Sequence, residues 1–159
     1  AQSLAGLINF QKDNMSLVSQ LSIAKGMFDY ACGINPDLAN GVCQMFYGAY
    51  QAGRPSMLGG NPEKGKQIFL KLIKSNPHNW LARVAYIQFY LIPQGDEEGY
   101  KKQRVYLRKF KRLAMEEMKW TPNLKAQKKK AFKKKGIRFY QALAIERFNI
   151  ITKYEKDLF

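Results

Sequence analysis

The side chains able to do acid–base, nucleophilic or metal chemistry are few in this chain. There is one histidine, two cysteines and twelve carboxylates among 159 residues. His78 directly follows Pro77, at a helix boundary. No Ser-His-Asp set, zinc-ligand spacing or phosphate-cradling glycine loop can be assembled around it. Asp96, Glu97 and Glu98 stand together, but at a helix start, where carboxylates complement the helix dipole. Asn61 and Asn79 read as helix caps rather than ligands. The expectation is therefore a protein without catalytic residues, metal or cofactor. Cys32 and Cys43 are too few for a disulfide framework and lack metal-ligand companions. They are either two buried thiols or, outside the cytoplasm, one disulfide.

What remains is binding chemistry. Tyr47, Tyr50, Tyr86, Phe89 and Tyr90 concentrate aromatic surface on two helices. Such rings either anchor a partner or small ligand or fill the core between repeats. Arg54 and Met57 lie in a loop closed by Gly59-Gly60. Arg54 has the fork geometry to grip a carboxylate, and the glycine pair permits close backbone approach. The competing reading is that this loop only caps two helices, with Arg54 satisfying helix-end carbonyls. Lys128, Lys129, Lys133 and Lys134 belong to a lysine-rich stretch that wraps around a helix. It is either a docking surface for acidic protein or anionic lipid, or a solvated face. Nucleic acid is disfavoured, because Phe132 is the one aromatic in the run and no basic groove is evident.

These residues need helices to position them. Apolar residues make up 46% of the chain and charged residues 25%, an ordinary globular balance with enough length for a core. The net charge of +15 favours acidic partners, anionic lipid or nucleic acid and is silent on fold. No apolar run is long enough to span a membrane, and no signal peptide is evident. Helical periodicity predicts a first helix ending near Phe10 and a second from about Ser16 to Gly33. A third should begin at Pro36 and run to about Ala52, and a fourth should run from Pro62 to about Ser75. A fifth should run from Trp80 to Leu91, a sixth from Asp96 past Met118, and a long last helix from about Asn123 to Phe159. No segment alternates as a strand does.

The helices repeat. Ala24, Phe28, Ala31 and Pro36 recur as Gly65, Phe69, Leu72 and Pro77, with an offset of 41 positions. Gly6 and Gly48 recur at nearly the same offset. A small residue lets two helices approach, a ring one turn on fills the space beside it, and proline ends the unit. Hairpins of this kind bury their apolar faces by stacking. The spacing matches the second helix of tetratricopeptide repeats, lengthened beyond their usual ~34 residues by an insertion between the helices. The expected fold is all-α: stacked antiparallel hairpins, an α-solenoid, with a long C-terminal helix. Residues 1–159 form one helical-repeat domain, which opens mid-pattern and reads as the C-terminal portion of a longer protein.

The insertion carries a family resemblance. The stretch from Met45 through Arg54-Pro55-Ser56-Met57-Leu58-Gly59-Gly60-Asn61-Pro62-Glu63-Lys64-Gly65 resembles the T component associated with TRAP transporters. The tail Lys156-Asp157-Leu158-Phe159 and the segments around Ala5-Gly6 and Pro36-Asp37 are also similar to that family. The resemblance implies a periplasmic, usually lipid-anchored scaffold that partners a solute-binding protein and forms trimers around a hydrophobic pore. This chain departs from the family in lacking its upstream helices and lipid-modified cysteine, and in being unusually basic over Lys101 to Arg112 and Lys125 to Lys135. A structural subunit of a larger envelope complex, or a basic adaptor for anionic polymer or membrane surface, are the alternatives.

Overall fold

The computed structural model describes residues 1–11, 13–118 and 135–158, and the protein is all-α. Helix α1 spans Gln2–Phe10, α2 Met15–Val18 and α3 Leu21–Ile34. Helix α4 spans Val42–Gly53, α5 Pro62–Ser75, α6 Trp80–Tyr86, α7 Glu97–Met118 and α8 Lys135–Lys153. Short 3₁₀ turns stand at Leu38–Asn40, Ser56–Leu58 and Glu155–Asp157. No strand occurs among the described residues.

The second expected helix is broken in two. Asn14 caps α2 by accepting from the Leu17 amide, and α2 closes after one turn as Ser19 Oγ donates to the Ser16 carbonyl. The third begins at Val42 rather than at Pro36. Ala39, Asn40 and Gly41 all adopt left-handed φ values, 48°, 59° and 87°, so no right-handed helix can pass through them. Two asparagines lock this turn. Asn76 Nδ2 donates to Asn40 Oδ1 at 3.3 Å, and Asn79 Nδ2 donates to the Asn40 carbonyl at 2.5 Å. Asn79 is buried, and its Oδ1 also caps α6 by accepting from the Ala82 amide at 3.1 Å. Asn61 caps α5 through the Lys64 amide at 2.9 Å, with Pro62 in the first turn, and Asp96 caps α7 through Gly99 at 2.7 Å.

Beyond Tyr86 the fifth helix widens into a π-helical segment, Ile87–Leu91. The Ile92 amide bonds to the Ile87 carbonyl, five residues back, before Pro93 and a left-handed Gly95 turn the chain. The described part of the last helix is α8; the stretch from Asn123 to Lys134 lies outside the described residues.

The main core joins α4, α5, α6, the π segment, α7 and α8. Phe69, Val84, Ile87, Leu91, Tyr100, Leu107, Ala144, Ile145 and Phe148 are among its fully buried members. Gly48 and Gly65 set the α4–α5 crossing: a Cβ on Gly65 would stand 2.8 Å from the Gly48 carbonyl oxygen, and one on Gly48 2.8 Å from the Phe69 ring. A smaller second core holds Phe28, Cys32 and Cys43, flanked by Ala5, Phe46 and Tyr47. Val42 packs against both. Cys32 and Cys43 are joined as a disulfide, with Cα atoms 5.9 Å apart. The pairings of α4 with α5, α5 with α6, and α7 with α8 are compatible with stacked hairpins.

Candidate partner-binding site

The site grows from the C-terminal end of α4. Phe28 and Phe46 stack at 3.8 Å between ring centres, and Phe46 lies 5.8 Å from Tyr50. The Arg54 guanidinium stands 4.6 Å above the Tyr50 ring and donates through Nη1 to the Tyr50 hydroxyl at 2.6 Å. Through Nη2 it donates to the Leu58 carbonyl. A row of rings thus ends on one cation, and that cation holds the far side of its own loop.

Three further contacts close the loop. The Leu58 and Gly60 amides both donate to the Pro55 carbonyl, at 2.9 and 3.1 Å. The Asn61 amide donates to the Gln51 carbonyl at 2.9 Å, which returns the chain to α4. Gly59 has φ 82°, and a Cβ on Gly60 would stand 1.9 Å from the Arg54 carbonyl oxygen. Both glycines are therefore required by the backbone path. The result is a braced loop with Met57 90% exposed and Leu58 beside it also exposed.

Tyr47, one turn before Tyr50, donates to Asp29 at 2.8 Å, and Asp29 is paired with Lys25 at 2.6 Å. The hydrogen bonds from Lys25 and then Tyr47 hold the Asp29 carboxyl below its usual range. Burial first, then the Asp29 contact, pushes the Tyr47 hydroxyl up. Tyr86 and Tyr90 lie elsewhere, stacked at 5.4 Å in the main core with Phe69 beside Tyr86. Tyr90 donates to Glu63 at 2.9 Å. Burial, then Tyr90, Asp96 and Glu63, push the Tyr86 hydroxyl up to about 12. Of the sequence candidates, Tyr47, Tyr50, Arg54 and Met57 thus share α4 and its loop, whereas Tyr86 and Tyr90 are inside the core. Lys128, Lys129, Lys133 and Lys134 lie outside the described residues.

A groove of about 420 Å³ escaped sequence reading. Gln88 and Ile92, from the π segment and its end, face Arg147, Ile151 and Tyr154 across it. Its walls come from segments some sixty residues apart, and no motif joins them. Among the described residues no cluster of three or more His, Cys, Asp or Glu could hold a metal, and no helix is long and apolar enough to cross a membrane.

Fold and site together are those of an all-α protein with an internally hydrogen-bonded loop that leaves Met57 and Leu58 exposed. The family model for the TRAP transporter T-component matches residues 1–134, and the chain belongs to that family. No curated protein and no solved structure matches it.

Proposed function

We propose that this chain is a non-enzymatic scaffold of the cell envelope that docks a partner of a TRAP-type transporter, in the first instance its solute-binding protein. The observation that carries the reading is the braced loop. Arg54 is occupied by Tyr50 and the Leu58 carbonyl, so its role is to hold the loop, and Met57 is the projecting apolar contact. An ordered apolar knob loses little conformational entropy on docking. The disulfide supports an oxidising, periplasmic setting, where such bonds persist. A lipid anchor upstream and a tetratricopeptide-like stacking of the hairpins follow the family resemblance and belong to the same proposal.

The test is binding of the purified chain to the solute-binding protein of the same transporter. Met57→Asp should weaken binding at least about tenfold with no change in melting temperature, since the side chain touches solvent. Tyr50→Ala combined with Arg54→Ala should also lose capture while helical content stays intact. Wild-type affinity in both variants rejects the loop as the docking element.

One observation favours a second reading. Residues 1–60 carry Lys12, Lys25 and Arg54 against Asp13, Asp29 and Asp37, so the whole net charge of +15 falls in residues 61–159. That asymmetry suits a basic adaptor on an anionic surface, whose binding would fall steeply with salt; the docking of an apolar knob would lose mainly association rate.

A further inference from the structure

Helix α4 carries two stripes on nearly opposite faces. Met45, Gly48 and Ala52 form one, which packs on α5: the Phe69 ring fills the space at Gly48, and Gly65 closes on Ala52. Cys43, Phe46, Tyr50 and Arg54 form the other, each about one turn beyond the last. The cover of this second stripe comes from α3. Cys32 is bonded to Cys43, and Phe28, one turn before Cys32, stacks on Phe46 with ring centres 3.8 Å apart.

The second stripe runs into the loop. Phe46 meets Tyr50 at 5.8 Å, Tyr50 holds the Arg54 guanidinium over its ring, and Arg54 donates to the Leu58 carbonyl. Contacts thus run unbroken from the disulfide to the far side of the loop. Two polar ties between the same segments, Tyr47 to Asp29 at 2.8 Å and Gln44 to the Pro36 carbonyl at 3.2 Å, are open to solvent. Hydrogen bonds in water contribute little net. The disulfide closes a chain separation of 11 residues. Without it, the entropy of opening that segment works directly against the Phe28–Phe46 stack.

We infer that the Cys32–Cys43 bond governs the order of the loop at Arg54 to Gly60, so that thiol oxidation confers docking competence. With the bond closed, Phe28 covers Phe46, Phe46 fixes the Tyr50 ring, and Tyr50 sets the guanidinium that closes the loop. With both thiols free, α3 opens from α4, the row loses its first ring, and the Arg54 brace loosens. Helix α4 itself stays seated on α5 through its opposite face. Closing the bond takes two electrons and two protons from the thiols, and the acceptor is the disulfide of an oxidant protein. One cysteine thiolate attacks that disulfide to form a mixed disulfide, the other cysteine displaces the oxidant, and the oxidant leaves as a dithiol. The finished bond is then shielded from reductants, since Cys32 is 8% and Cys43 2% exposed. The consequence for docking rests on the loop being the docking element; the coupling of disulfide to loop does not.

The experiment is amide hydrogen exchange of the full chain, followed by NMR at Leu58, Gly60 and Asn61, whose amides bond the Pro55 and Gln51 carbonyls. Cys32→Ala combined with Cys43→Ala should speed exchange at these amides at least about threefold, while α5 and α6 keep wild-type protection. Wild type reduced with dithiothreitol should behave alike. Phe46→Leu keeps an apolar side chain but removes the ring, and should loosen the loop to a similar extent with the disulfide intact. Added to the cysteine variant it should change little further, because the row is already broken. Loop exchange that is unchanged without the disulfide, acceleration spread evenly through α5 and α6, or effects of Phe46→Leu and the cysteine variant that simply multiply overturns the inference. Affinity for the solute-binding protein is a separate readout, expected to fall with loop order. A loosened loop with unchanged affinity rejects the docking reading while the coupling stands.

Discussion

Arg54 illustrates how a residue with recognition chemistry is spent on architecture. A guanidinium offers five donors, and here two of its nitrogens bond Tyr50 and Leu58. Its planar face meets the Tyr50 ring as well, which an ammonium would do less well. The loop braced in this way leaves Met57 out in solvent. Tyr86 is the opposite case, a polar group held inside. Burial disfavours the phenolate and pushes this hydroxyl up to about 12. A folded-state value above the unfolded one means that stability is full below pH 10 and declines as pH rises toward 12. Melting temperature should accordingly fall over that window, and Tyr86→Phe should flatten the decline. An equal decline in wild type and variant would place the titrating group elsewhere.

At the scale of the elements, the α4–α5 crossing turns on two glycines. Gly65→Ala drives a methyl group toward the Gly48 carbonyl oxygen and the Ala52 amide nitrogen, at 2.8 and 2.9 Å, and backbone cannot yield as a side-chain tip does. The expected cost is about 1–3 kcal/mol. For a chain of this size that corresponds to a drop of several degrees in melting temperature. Gly6, which the repeat pairs with Gly48, has open space around it. Gly6→Ala should be neutral or stabilise by up to about 1 kcal/mol, since only helix propensity changes. A Gly65→Ala variant that melts with the wild type would show that the crossing can widen freely. The two units related by the spacing are packed unequally: the later one is close-packed at Gly48 and Gly65, while the earlier is looser around Gly6 and relies on Ala24, Phe28 and a disulfide.

The whole molecule divides along the same line. The larger core spans α4 to α8, and the smaller one ties α1 and α3 to α4 through Phe28, Phe46 and the Cys32–Cys43 bond. A small core with many exposed apolar neighbours belongs to the low-stability end of a fold. Reduction of the disulfide should cost about 2–4 kcal/mol. The loss should be local: backbone amides of α1 and α3 should exchange with solvent much faster after reduction, while those of α5 and α6 stay protected. Uniform acceleration along the chain would mean that the two cores open as one. The loop at Arg54 to Gly60 touches both parts: its row of rings runs through Tyr50 and Phe46 to Phe28 in the smaller core, while α4 itself packs on α5 through Ala52 in the larger one.

The all-α class, the caps at Asn61 and Asn79, the ends of α1 and α5 and the family resemblance were all legible in the linear chain. Each depends on neighbours within a turn or two, where spacing alone states the geometry. The spacing sets Tyr47 and Tyr50 with Tyr86 and Tyr90, and Arg54 and Met57 with the loop; the Arg54–Tyr50 hydrogen bond is what joins the two sets. Tertiary structure decided the rest. Tyr86 and Tyr90 carry the same aromatic signal as Tyr47 and Tyr50, and only the packing of Phe69 and Glu63 against them puts them in the core. The left-handed turn at Ala39 to Gly41 displaced a helix start that Pro36 had announced, because Asn76 and Asn79, nearly forty residues on, hold it. The joining of Cys32 to Cys43, the π segment at Ile87–Leu91 and the groove beside it likewise depend on which distant surfaces meet, and side-chain spacing within one helix carries no information about that.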